Sequence, residues 1–138
     1  MTAGRKVLVI DDEESIITYL QIILEDHGFV PLVALDGDAG TELARRERPD
    51  LICMDVMMPR RSGIALYQEF KRDPELASIP VMFISAFNQI RDLRNPETFR
   101  KMIPDPAIPH PEYCMEKPIK VGAFVEIVTA LIEGREVK

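Results

Sequence analysis

The stretch KVLVIDDE, residues 6–13, decides the fold: four apolar residues follow Lys6 and lead directly into three carboxylates. A short run of this kind, rich in Val, Ile and Leu, is typical of a strand that is covered on both faces. Ligands in open α/β sheets bind outside the carboxyl ends of the strands. The stretch therefore predicts a buried strand with a polar site at its end.

Four further apolar runs of strand length follow along the chain, at Phe29–Ala34, Leu51–Met54, Val81–Ile84 and Tyr113–Met115. Segments with helical spacing lie between or after them: Ile16–Leu24, which stops before Gly28, then Asp38–Glu47, Ile64–Lys71 and Val121–Ile132. Parallel strands require crossover connections, and those connections are right-handed. The alternation therefore predicts a doubly wound α/β fold, with a parallel sheet covered by helices on both faces.

Length and composition indicate a single folded domain over residues 1–138. The chain is 46% hydrophobic and 29% charged, which is ordinary for a globular protein. Its net charge of -6 argues against direct binding of nucleic acid, which needs an excess of Lys and Arg. The N-terminus lacks a secretory signal and no apolar run could cross a membrane, so we expect a cytoplasmic protein. Cys53 and Cys114 lie in apolar runs and are predicted to be reduced core residues.

The spacer at residues 88–112 breaks the regular alternation. It contains Pro96, Pro104, Pro106, Pro109 and Pro111. Because proline interrupts a helix anywhere beyond the first turn, the only helix predicted in this segment is 96–103, with Asn95 as its N-cap. The rest is predicted to be an extended loop.

Acids, a hydroxyl and an amine end four of the five predicted strands: Asp11 and Asp12 after the first, Asp55 after the third, Ser85 after the fourth and Lys117 after the fifth. Clustered carboxylates raise one another's pKa unless a cation lies among them. Mg²⁺ prefers a few carboxylates, a backbone carbonyl, waters and a phosphate oxygen, and an aspartate can attack phosphorus to give an acyl phosphate. Taken singly, the leading acids could be helix caps and Ser85 could bond to backbone; together the residues predict a metal-assisted phosphoryl-transfer site.

Four motifs in this order resemble the receiver domain family of two-component response regulators, which is CheY-like. They are KVLVIDDE at residues 6–13, DVMMPRRSG at residues 55–63, Ser85-Ala86 and Lys117-Pro118. The resemblance covers nearly the whole chain. It implies a flavodoxin-like five-stranded sheet in the order 2-1-3-4-5 and a signalling switch that catalyses only its own phosphorylation and dephosphorylation.

The resemblance also implies a role for each site residue. Asp55 would be the phosphoacceptor, and Asp12 and Asp55 would bind Mg²⁺ or Mn²⁺ directly, with Asp11 acting through water. The backbone carbonyl of Met57 would complete the metal site.

Ser85 would hydrogen-bond the phosphoryl group and Lys117 would pair with its oxygens, with the Lys117-Pro118 peptide cis. Met57 and Phe87 occupy the two positions that tune phosphoryl lifetime in the family. Since both are bulky and apolar, we expect slow loss of the phosphate.

The chain departs from the family pattern in two places. Cys114 stands three residues before the lysine, where the family usually has Tyr or Phe, and Tyr113 should face the opposite side of the sheet because side chains alternate. The spacer between Ser85 and Lys117 is also about ten residues longer than expected, and long loops are often functional. We expect it to form a partner-specific surface or a lid beside the phosphorylation site.

These features predict a phosphoacceptor that receives its group from a histidine kinase or a histidine phosphotransfer protein and then signals to a downstream protein. No direct contact with nucleic acid or membrane is expected, and a homodimer stays open. Two alternatives remain. One is a magnesium-dependent phosphohydrolase, which would need a second acid where Met57 stands. The other is a pseudo-receiver that acts as an adaptor without phosphorylation.

Overall fold

The computed structural model of the protein describes residues 4–58 and 60–135. The strands are β1 (Lys6–Ile10), β2 (Val30–Ala34), β3 (Leu51–Met54), β4 (Val81–Ser85) and β5 (Tyr113–Glu116). The helices are α1 (Glu14–Asp26), α2 (Gly37–Glu47), α3 (Gly63–Arg72), α4 (Phe87–Arg94), α5 (Pro96–Met102) and α6 (Val121–Ile132).

The strands form one parallel sheet in the order β2-β1-β3-β4-β5, which confirms the predicted fold. The order reverses at β1, because β2 lies on one side of it and β3 on the other. The carboxyl ends of β1 and β3 therefore stand next to each other at the point where ligands bind in such sheets.

Alternation along the strands divides the core into two layers. Leu8 and Ile10 pack on one face of the sheet against residues of α2, α3, α4 and α5, whereas Val7 and Val9 pack on the other face against α1 and α6. Cys114 belongs to the first layer and Cys53 to the second, and both are free and buried. Two thiols on opposite faces of a sheet cannot form a disulfide with each other, as the sequence predicted.

Helix α1 ends at Asp26, two residues before the predicted glycine. Gly28 has φ +83°, and the amides of Gly28 and Phe29 donate to the carbonyl oxygens of Glu25 and Leu24. These bonds satisfy carbonyls that the end of a helix leaves unpaired. Among the helices of the described residues, none combines the length and apolarity needed to cross a bilayer.

The predicted loop at residues 88–94 is wrong, because Phe87–Arg94 forms α4. None of the prolines lies inside it, and the Ile90 amide donates to the carbonyl of Ala86. Ile90 and Leu93 are buried one turn apart on the side that faces the sheet. In the sequence, the dense prolines that follow favoured a loop over a short helix supported by this apolar pair alone. The next helix, α5, begins as predicted: Asn95 Oδ1 accepts from the amides of Glu97 and Thr98.

Residues 104–112 are without helix, as predicted, but they do not form a lid; α5 ends at Met102, one residue before the predicted end. Ile103 and Ile108 are buried in the layer that also contains Phe99. The Tyr67 hydroxyl donates to the Pro109 carbonyl at 2.7 Å, and the Val81 amide donates to Glu112 Oε1 at 2.8 Å. Since Val81 is the first residue of β4, the segment packs at the amino-terminal end of the sheet, opposite the carboxyl ends where the lid was expected.

Gly63 marks the closest approach of α3 to β3. Its amide donates to the Val56 carbonyl at 2.8 Å, and a Cβ at this position would overlap the backbone carbonyl of Asp55 and come within 3.0 Å of the Val56 Cα. Both obstacles are backbone atoms that cannot rotate away. Only glycine therefore fits here without moving the loop that follows Asp55.

We expect Gly63→Ala to lower the free energy of unfolding by about 1–3 kcal/mol, the usual cost of forcing an extra group into a packed site. The matched control is Gly122→Ala in α6, where no heavy atom of the part of the chain that the structure describes lies within 4 Å of the new Cβ. That substitution should leave stability unchanged or slightly raised, since alanine is the better helix former. Urea unfolding of both variants tests the prediction, and equal midpoints would contradict it.

Candidate functional site

The residues that directly follow β1 and β3, Asp11 and Asp55, lie side by side in the site. The Asp11 amide donates to the Ala34 carbonyl and the Asp55 amide to the Ile10 carbonyl, each at 3.1 Å. Asp11 is 2% exposed and Asp55 4%, whereas Asp12 is exposed. One carboxylate oxygen from each of these three acids lies within 4.8 Å of the other two.

Lys117 reaches this acidic cluster from β5. Its Nζ lies 3.4 Å from Asp11 Oδ2, 3.3 Å from Asp55 Oδ2 and 3.2 Å from Glu13 Oε1. The Lys117 amide donates to the Ser85 carbonyl at 2.8 Å, and the Lys117-Pro118 peptide is cis. Burial lowers the pKa of Lys117, but the charges of Asp11 and Asp55 outweigh this effect and the pKa is raised, so the amine is held in its charged form.

The pKa of Asp11 is raised even though the Lys117 amine lies beside its carboxyl. Burial raises the pKa of Asp11, and the negative charge of Asp55 raises it further. The Glu13 amide, which donates to Asp11 Oδ1 at 2.9 Å, and Lys117 act in the opposite direction without restoring the ordinary value. The protein therefore holds more negative charge at this point than its own cation balances.

Ser85 is bound to Asp55 rather than to backbone. Its buried hydroxyl donates to Asp55 Oδ1 at 2.8 Å. The Met57 amide donates to the same oxygen at 3.2 Å. Three groups, the Ser85 hydroxyl, the Met57 amide and the Lys117 amine, therefore hold the Asp55 carboxylate in place.

The side chains meet in a cleft of about 300 Å³, which is lined by Asp12, Glu13, Asp55, Met57, Ser85, Ala86, Gln89 and Lys117. A larger cleft of about 470 Å³ lies beside β5, but it contains Lys117 alone of the predicted site residues. The smaller cleft holds the reactive groups. We therefore take it as the functional site.

The structure brings together the side chains of Asp11, Asp12, Asp55, Ser85 and Lys117, all chosen from the sequence. Met57 also lines the cleft, but the metal-binding role of its carbonyl stays a prediction. Phe87 is 58% exposed and is not among the residues that line the cleft. Gln89 does line it and was missed, because its segment was predicted to be loop; a helix starting at residue 87 would have directed attention to it.

The donor set fits a hard divalent cation. Three carboxylates offer oxygen ligands within a few ångströms of one another, and the exposed member leaves room for water. This combination of few carboxylates with retained waters is the one that Mg²⁺ prefers. A divalent cation would also relieve the unbalanced charge around Asp11.

Strand β5 keeps an unbroken register beside β4, with Met82 opposite Tyr113 and Phe83 opposite Cys114. Tyr113 packs in the layer of α1 and α6, whereas Cys114 packs in the other layer. The predicted separation of these two residues is confirmed, because no bulge shifts Tyr113 to the Cys114 side.

A family profile described as "Response regulator receiver domain" matches residues 7–96. The match ends at Pro96, the first residue of α5. Among curated relatives, the polar-differentiation response regulator DivK of Brucella anthropi is 30% identical over 128 residues, which cover 93% of this chain and 96% of that protein. The chain belongs to the response regulator receiver domain family.

Other relatives are longer. The DNA-binding dual master transcriptional regulator RpaA of Synechocystis is 39% identical over 87 residues, and the alkaline phosphatase synthesis regulator PhoP of Bacillus subtilis is 39% identical over 83 residues. The matched region spans 36% of RpaA and 34% of PhoP, about a third of each. Among solved structures, the chemotaxis protein CheY4 of Vibrio cholerae superposes with a TM-score of 0.77 at 22% identity, over 94% of this chain and 99% of that one. This likeness concerns the fold.

We expect Asp11→Asn to raise the melting temperature in EDTA, because it removes a charge that burial and Asp55 disfavour. The same variant should lose much of the increase that MgCl₂ gives the native protein, since a ligand that binds only the folded state stabilises it. The matched control is Asp26→Asn at the exposed end of α1, which should keep the full magnesium effect. A melting temperature of the native protein that MgCl₂ leaves unchanged would contradict the metal site.

Proposed function

We propose that this receiver domain accepts a phosphoryl group on Asp55 from a phosphohistidine donor in a magnesium-dependent reaction. The observation that carries the proposal is the environment of the Asp55 carboxylate. It is 4% exposed, accepts from the Ser85 hydroxyl, contacts the Lys117 amine and lies next to two further acids. A carboxylate fixed in this way is positioned for attack on phosphorus.

In the transfer, one oxygen of Asp55 forms a bond to phosphorus while the bond from phosphorus to the donor imidazole nitrogen breaks. The electron pair of that bond leaves with the imidazole. Lys117 stabilises the negative charge of the transferred oxygens. Asp12, Asp55 and the Met57 carbonyl would hold a bound Mg²⁺ directly and Asp11 would hold it through water; the ion supplies positive charge beside the same oxygens.

Phosphorylation must change the bond between Ser85 and Asp55. Before transfer the Ser85 hydroxyl donates to Asp55 Oδ1; afterwards phosphoryl oxygens offer stronger, charged acceptors. The hydroxyl would move to them, and β4 and α4 would carry the change to the surface. Because Cys114 stands where the family usually has an aromatic, we propose that the apolar contacts of α4 with the sheet carry this change.

The alternatives are less well supported. A phosphohydrolase would need a second acid two residues after the nucleophile, and Met57 has no proton to give. A pseudo-receiver would not need the whole set of acids, hydroxyl and amine at one cleft. We accordingly propose that the chain is a signalling switch and that its only catalysis is its own phosphorylation and dephosphorylation.

For the whole protein we propose residues 1–138 as a single receiver domain in the cytoplasm, with a histidine kinase or a histidine phosphotransfer protein as its donor. Its output would be contact with a downstream protein. Relatives such as RpaA are named as DNA-binding, but the matched region is about a third of that protein, and the net charge of -6 argues against a direct DNA contact by this chain.

The test is intact-mass measurement after incubation with acetyl phosphate and MgCl₂. We expect the native protein to gain the mass of one phosphoryl group and Asp55→Asn to gain none. Lys117→Ala should be phosphorylated far more slowly because the charge on the transferred oxygens is no longer balanced. Asp38→Asn, an exposed carboxylate on α2, serves as a control and should react like the native protein. Repeated turnover of a small phosphate ester without a phosphorylated protein would favour the hydrolase instead.

Phosphoryl lifetime gives a second prediction. Met57 lines the cleft and is 60% exposed, so its side chain lies at the solvent side of the site. We expect this bulky apolar group to hinder water, which gives slow loss of phosphate from the native protein and faster loss from Met57→Ala. Phe87→Ala should have the smaller effect because Phe87 is outside the cleft lining. A native half-life of seconds, or a larger effect at Phe87, would contradict this account.

A further inference from the structure

One buried polar atom in the cleft has no hydrogen-bond partner among residues 4–58 and 60–135. It is the side-chain oxygen of Gln89, Oε1, which is buried and unpaired. The neighbouring groups are engaged: Ser85 and Lys117 both bind Asp55, and Lys117 also binds Glu13. A buried acceptor without a partner is unfavourable. Because Gln89 lines the cleft, a rotation of its carboxamide would bring this oxygen to a water molecule there.

The position of Gln89 brings its side chain to the cleft that contains the Asp55 carboxylate. Helical side chains lean toward the N-terminus of their helix, and α4 begins directly after Ser85 and Ala86. Gln89 lies in the first turn of α4, so its side chain leans back toward the carboxyl end of β4. It lines the same cleft as Asp55 and Ser85.

We propose that Gln89 positions the water molecule that removes the phosphoryl group from Asp55. This inference rests on the proposed phosphorylation of Asp55 and adds a residue that sets its lifetime. Gln89 Oε1 accepts a hydrogen bond from the water and fixes its orientation in the cleft. Met57 restricts access of water to the phosphorus and Gln89 holds the water that enters, so the two residues act on the lifetime in opposite directions.

The hydrolysis step is balanced without another reactant. The water oxygen forms a bond to phosphorus while the bond from phosphorus to the Asp55 oxygen breaks. The electron pair of the broken bond stays on Asp55, which is released as a carboxylate. The two protons of the water leave with the product as dihydrogen phosphate, which then equilibrates with solvent. Gln89 neither gains nor loses a proton.

The experiment uses the full chain, phosphorylated with acetyl phosphate and MgCl₂ and then freed of the donor by desalting. Phosphate loss from Asp55 is followed by intact mass, and the initial rate of phosphorylation is measured separately. Gln89→Met keeps the length of the side chain but removes the acceptor. Gln89→Glu keeps an acceptor at the same place. Asn88→Ala is the matched control, because Asn88 is an exposed carboxamide on the same helix.

We expect Gln89→Met to lengthen the half-life about fivefold, the effect of one lost hydrogen bond. Its phosphorylation rate should stay within about twofold of the native rate, since the lost bond belongs to the hydrolysis step. Gln89→Glu should restore a half-life close to the native one, and Asn88→Ala should change neither quantity. A merely structural role would not separate the two rates in this way.

Two results would overturn the inference. The first is a half-life of Gln89→Met that equals the native value or is shorter, as would follow if the carboxamide donated to the phosphoryl group. The second is a parallel fall of phosphorylation and hydrolysis in that variant, which would indicate a distorted site. Failure of the proposed function is recognised differently, by a native protein that gains no mass sensitive to Asp55→Asn, and the inference then falls with it.

Discussion

The contact between Lys117 Nζ and three carboxylates, at 3.2 to 3.4 Å, is the interaction on which the site depends. It joins the last strand to the first and third across the carboxyl edge of the sheet. One amine cannot neutralise these three acids and the neighbouring Asp12, so the edge keeps an excess of negative charge. That excess makes a divalent cation a natural occupant beside the Asp55 carboxylate, the group that would attack phosphorus.

Much of this arrangement could be predicted from the sequence because parallel strands place their ends at one edge. Once the apolar runs at residues 7–10, 51–54 and 81–84 are recognised as strands, the residues that follow each run must converge. The burial of the site residues and their hydrogen-bond partners could not be predicted in this way. That Ser85 binds the Asp55 carboxylate rather than a backbone group depends on the relative height of two strands, which no local pattern contains.

The segment after β4 shows where pattern reading fails. Dense prolines at residues 104–111 suggested loop for the whole spacer, yet α4 forms because Ile90 and Leu93 bury one face of a single short helix. Gln89 was missed for the same reason. Helix α5, which lies in the same long spacer, is likewise held by tertiary packing. Its Phe99 is fully buried in the layer that contains Cys114 and Phe83. Phe99 thus packs on the face of the sheet to which β5 contributes Cys114.

The two free thiols have a practical consequence. Burial raises the pKa of Cys53 and raises that of Cys114 to about 11, so neither forms the reactive thiolate to any extent at neutral pH. One thiol lies under α1 and α6, the other under the remaining helices. Alkylation of the native chain therefore has to wait until one helical layer opens. The native protein thus carries an internal reporter on each side of its sheet, and peptide mapping after a timed alkylation would tell which layer separates first.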